Sequence, residues 1–159
     1  MVLLLLVLVP AAVVGMCVLV GYGLTGLGRA AFRRGGPEGW LRGFAGLLGG
    51  FAVACYAWGL LHVVGAVLGA EDGGTSSSPL IPCRTPGQEE RAATVIDYTV
   101  AYVPLRFVCE TTGGGSYAAE SVPAYVNPAV FGLAVGAAVC RGAVGVLAGR
   151  RDGGGGRGR

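Results

Sequence analysis

Residues 1–28 and 43–70 contain no Asp, Glu, Lys or Arg, and residues 122–140 form a third uncharged stretch. A helix rises 1.5 Å per residue, so about 20 apolar residues cross a hydrocarbon core about 30 Å thick, and soluble cores rarely call for runs of that length. In a chain of 159 residues, three such runs leave room for one small loop domain and no more. The expected class is membrane all-α: three transmembrane helices, with a small disulfide-stapled antiparallel β loop domain between helices 2 and 3. The expected division is helix 1 over 1–27, a loop over 28–42, helix 2 over 43–69, and a long loop over 70–127 with its β module at about 80–126. Helix 3 then covers 128–149, and a disordered basic tail covers 150–159.

Charge orients this arrangement. The short loop carries Arg29, Arg33, Arg34 and Arg42 against Glu38, and the segment after the third run carries Arg141, Arg150, Arg151, Arg157 and Arg159 against Asp152. Residues 71–121 instead hold seven acids against Arg84, Arg91 and Arg106. Basic flanks stay in the cytoplasm, which puts the N-terminus and the acidic loop outside and the C-terminus inside, in a multi-pass protein of the cell membrane. The first run lacks a basic leader and is followed by Arg33 and Arg34, the flank of a stop-transfer helix rather than of a cleaved signal.

Small residues recur every fourth position at Gly46, Gly50 and Ala54 in helix 2 and at Gly132, Gly136 and Cys140 in helix 3. Each set lies on one helix face and predicts packing of helix 2 on helix 3; the rivals are chance stripes from a glycine-rich composition and homo-oligomerisation through the same faces. Asn127 and Pro128 read as the cap and first residue of helix 3.

In the outer loop, residues 71–79 have no apolar side chain to bury and read as a linker. Beyond them Ile96, Tyr98, Val100 and Tyr102 alternate with smaller or polar residues, as do Leu105, Phe107 and Cys109 with Arg106 and Glu110, and Gly113 to Gly115 permit a reversal. A small antiparallel sheet follows. A unit of about 45 residues buries too little to stand without a staple. Cys83 and Cys109 are the only cysteines of the outer loop, they face an oxidising compartment, and they are expected to form a disulfide.

The stretch Pro82-Cys83 through Tyr102-Val103-Pro104-Leu105-Arg106-Phe107-Val108-Cys109, with Gly114-Gly115-Ser116-Tyr117 and Tyr125-Val126-Asn127-Pro128, resembles small integral membrane proteins common in actinobacteria. The resemblance covers mainly residues 80–140. It implies an envelope location and a two-cysteine β-rich loop outside the membrane, and no activity.

Motifs for chemistry are weak. Gly21-Tyr22-Gly23-Leu24-Thr25-Gly26 spells GxGxxG, yet a membrane-length run precedes it and no strand-turn-helix unit surrounds it. Cys17, Cys55, Cys140 and His62 are scattered over three helices without ligand spacing, so neither a metal nor a cofactor is expected. There is no CxxC, and the serines at 76–78 have no histidine partner in the outer loop. Two intramembrane polar residues remain as candidates. Arg141 falls inside helix 3, where a snorkelling side chain is favoured over a functional ion pair, and His62 is the sole histidine, without acids for a proton relay. The arginine-glycine tail suits anionic lipid better than nucleic acid.

The expected role is therefore a non-enzymatic membrane protein that presents an outer module to another membrane or envelope protein, with Tyr98, Tyr102, Tyr117 and Tyr125 as its core or contact face. The alternatives are a transporter or channel subunit using Arg141 and His62, and an accessory subunit of a membrane enzyme complex.

Overall fold

A computed structural model describes residues 2–32, 36–72 and 80–155. Arg33, Arg34, the 73–79 part of the expected linker, and Arg157 and Arg159 of the expected tail lie outside the described residues. Helix α1 runs Val2–Phe32, α2 Pro37–Glu71 and α4 Val126–Gly155. All three are long and apolar enough to cross a membrane. Between α2 and α4 come a 3-10 turn Ile81–Cys83, the short helix α3 Glu89–Ala92, and strands β1 Val95–Tyr102, β2 Leu105–Thr111 and β3 Ser116–Ala119. The helices run past the apolar stretches, α1 through Arg29, α2 from Pro37 through Arg42 and α4 through Arg150.

The chain forms two compact units, one of residues 1–9 and 56–128 and the other of residues 10–55 and 129–159. The first contains the sheet, ordered β1-β2-β3 and antiparallel throughout. β1 and β2 are joined by Val103-Pro104, whose peptide bond is cis. At the other reversal Gly114 has φ +73°, a conformation open to glycine and costly for residues with a Cβ, while Thr111 Oγ1 donates to the Gly115 carbonyl at 2.9 Å.

One sheet face makes the core. Val100, Leu105, Phe107, Cys109, Tyr117 and Ala119 are buried on it, and Leu60, Val63, Ala66, Val67 and Ala70 of α2 join the same cluster. Their helical spacing lays one face of the last turns of α2 in this core. Leu5 of α1 completes it. Cys83 and Cys109, both fully buried, are joined by a disulfide with their Cα atoms 6.1 Å apart. Ile96, expected on the core face with Tyr98 and Val100, is instead 66 % exposed. The register slips between Val95 and Asp97, and this extra residue reverses the parity, so Val95 packs on the core.

Asn127 does other work than the cap expected of it. α4 begins one residue earlier, at Val126, and the Asn127 side chain accepts from Leu105 N–H at 2.9 Å and donates to the Leu105 carbonyl at 3.1 Å. β3 ends at Ala119 opposite Phe107, so it does not reach Leu105, and the Asn127 amide stands in as a strand neighbour. Asn127→Leu is expected to destabilise the sheet unit by about 2 kcal/mol, because it leaves both main-chain groups of Leu105 unpaired. Asn127→Asp keeps the acceptor and should lose less, a difference readable in thermal melts of the detergent-solubilised chain.

The second unit is helical. A Cβ on Gly46 would come within 2.8 Å of Gly23 Cα and 2.9 Å of Gly23 N, and one on Gly50 within 2.6 Å of Val20 Cγ2. The small face of α2 is thus pressed on α1, not on α4. Gly43 follows the same line, its Cβ falling 2.6 Å from Leu27 Cδ2. Of the α4 glycines expected to meet α2, Gly136 does approach Leu48, at 3.3 Å, whereas Gly132 has nothing within 4 Å. Glycine on both α1 and α2 permits this close backbone approach.

Candidate functional site

The segment 56–71 of α2 has two apolar faces. One is buried under the sheet. On the other, Trp58, Leu61 and Leu68 are each about half exposed. Between this face and Ile81, Pro82 and Ser121 lies a groove of about 480 Å³, with His62 and Gly65 in its floor. Gly65 has nothing within 4 Å of where its Cβ would be, which keeps the groove open along the helix. The first turns of α1, in the same unit, add Leu3, Leu6 and Val7, all largely exposed, while Leu5 alone of that stretch is buried.

His62 sits in this groove with its ring edge on Trp58, centroids 5.0 Å apart at 83°. Trp58 Nε1 donates to the Tyr125 hydroxyl at 3.1 Å. The groove is mostly apolar, with His62 and Ser121 among its lining.

The four tyrosines separate into two kinds. Tyr117 is buried, and its hydroxyl donates to the Cys83 carbonyl at 2.7 Å, pinning the disulfide-bearing turn to β3. Burial pushes its ionisation up, partly offset by Arg91. Tyr98 stacks on Phe107 at 4.9 Å and donates to Glu71 Oε1 at 3.0 Å; burial, and then that carboxylate, push its ionisation up as well. Tyr102 packs against the core and its carbonyl accepts from the Tyr56 hydroxyl at 3.0 Å, while its own hydroxyl is buried without a hydrogen-bond partner among the described residues. Only Tyr125, 59 % exposed, is free to form part of a contact face. Alternation placed Tyr98 and Tyr102 on the core face correctly, but no sequence signal distinguished Tyr125 from them.

Arg141 belongs to the helical unit and His62 to the sheet unit. Arg141 is exposed on α4, nine residues before Arg150, or about 13 Å of helix, much of which a guanidinium stem can span. Cys17 is exposed and Cys55 and Cys140 are partly so, all as free thiols. The GxGxxG letters lie inside the unbroken helix α1, where Gly23 serves the contact with α2. The groove itself carried no motif, because its residues come from three segments, the largest of which reads in sequence as ordinary apolar helix.

No protein-family model, curated protein or solved structure matches this chain.

Proposed function

We propose that this chain is a non-enzymatic three-span membrane protein, N-terminus outside and C-terminus in the cytoplasm, that docks another membrane or envelope protein on the outer face of α1 and α2. The observation that carries this reading is a surplus of helix. α2 has 35 residues, about 52 Å, and a hydrocarbon core of about 30 Å uses only about 20 of them. The helical unit supplies lengths that suit a bilayer, residues 10–32, 37–55 and 129–150, or about 34, 28 and 33 Å. We assign the membrane to these segments. Tyr56, Trp58 and Tyr125 then lie next to the boundary, where aromatic anchors are favoured.

Charge supports the same assignment. Residues 10–55 and 129–159 hold nine arginines and two acids, and residues 1–9 and 56–128 hold three arginines and seven acids. The surplus turns of α2 then stand in the outer compartment with an apolar face that the sheet does not cover. Contiguous exposed apolar surface of this kind marks an interaction site, and a partner that presents an apolar helix or strand face to Trp58, Leu61 and Leu68 would cover it.

Photo-crosslinking residues introduced at 61 and 68 test this in intact cells. Discrete protein adducts are expected at both, and none from position 99, which lies exposed on the opposite face of the sheet. Lipid adducts alone at 61 and 68 would place the stripe in the bilayer and defeat the docking reading.

A further inference from the structure

We propose that a cleft between the end of α1 and the start of α2 is a binding site for a phosphate-bearing anion, supplied by an anionic lipid headgroup. The cleft has a volume of about 340 Å³ and is lined by Tyr22, Thr25, Gly26 and Arg29 from α1 and by Gly39 and Arg42 from α2. Tyr22, Thr25, Gly26 and Arg29 recur at helical spacing and share one face of α1. Gly39 and Arg42, three apart, do the same on α2. The helix crossing thus brings two guanidiniums, 13 positions apart in sequence, to the same cavity.

Chemistry restricts what fits. Among the described residues no carboxylate lines the cleft, and both arginines are exposed, so neither is buried as an internal counter-ion. Paired guanidiniums offer planar forks of donors suited to phosphate oxygens. The Thr25 hydroxyl donates to the Tyr22 carbonyl at 3.0 Å, which leaves its oxygen as an acceptor toward a headgroup hydroxyl. The remaining walls, the Tyr22 ring, Ala30 and the glycines, are largely apolar or bare backbone, and suit a glycerol unit and the first methylenes of an acyl chain. Glycine fits closely here: a Cβ on Gly39 would come 3.2 Å from Ala30 Cβ, and one on Gly26 would come 3.3 Å from Gly43 Cα. Basic pockets between transmembrane helices on the cytoplasmic side are suited to such headgroups.

The site rests on the membrane reading above, and flotation separates the two. Full-length chain that fails to float with pure phosphatidylcholine vesicles would overturn the membrane reading itself. Given flotation, native mass spectrometry of chain extracted from vesicles of phosphatidylcholine and phosphatidylglycerol is expected to show retained phosphatidylglycerol in clear excess. In R29Q/R42Q that excess should fall by about thirtyfold, for two basic groups near an anionic surface. R141Q/R150Q removes the same charge from α4 and should change it less than twofold. Equal losses in the two double variants, or no preference in the parent chain, would overturn the proposal. Competition by inorganic phosphate identifies the source. Displacement of phosphatidylglycerol by the free anion shows that the headgroup charge suffices, and resistance to it shows that the lipid's glycerol and chains contribute; both outcomes support the site.

Discussion

Replacing both Cys83 and Cys109 by alanine is expected to open the sheet unit to trypsin about 300-fold faster. The bond joins residues 26 apart, and the chain-entropy model assigns about 3.5 kcal/mol to closing a loop of that size. At 1.4 kcal/mol per decade this gives the stated factor, provided cleavage follows the population of the open form. Arg106, on the exposed face of β2, is the informative cleavage point, since its peptide bonds lie in the strand and must leave it to be cut. Both sulfurs are fully buried, so alanine also removes packing and the effect is no smaller than the loop term alone. Helix content should hardly change, because residues 10–55 and 129–159 contain neither cysteine. Equal cleavage rates in the oxidised chain and the double variant would mean that the α2 face and the sheet hold together without the staple.

The staple was readable in the sequence because only two cysteines share the acidic loop. The sheet was readable because alternation survives over β2, where Leu105, Phe107 and Cys109 are buried and Arg106 is exposed. It failed at Ile96, since a bulge shifts the parity of a strand and leaves no residue-level mark. The division of α2 was not legible for a deeper reason. Leu60, Val63 and Val67 are buried against a sheet core, while Phe51 and Phe44 are exposed on the same helix, and hydropathy scores both kinds of residue alike. One apolar run of 28 residues therefore read as one span. Only the placement of the sheet beside its last turns sets the buried residues of α2 apart from the exposed ones. The groove and the arginine cleft share this character, as each is assembled from short stretches distant in sequence.

The glycine line on α2 has the same ambiguity and a sharper test. Spacing put Gly46 and Gly50 on one face and assigned that face to α4, although α1 carries glycines as well. The structure sets Gly46 against Gly23, where an added methyl would strike the Gly23 backbone and lie 3.2 Å from the Leu19 carbonyl. Backbone atoms in a packed helix cannot step aside as a side-chain tip can, so α1 and α2 must separate. Gly46→Ala is expected to destabilise the helical unit by about 1–3 kcal/mol, the usual range for overpacking, even though alanine is the better helix former by about 1 kcal/mol. Gly21→Ala and Gly132→Ala make the same exchange where nothing lies within 4 Å, so only the propensity gain remains and both should be neutral or slightly stabilising. Thermal melts of the three variants in one detergent therefore differ in sign, not only in size. If Gly132→Ala were as damaging as Gly46→Ala, the small face of α2 would be packed on α4 after all, and the pairing of α1 with α2 that forms the arginine cleft would go with it.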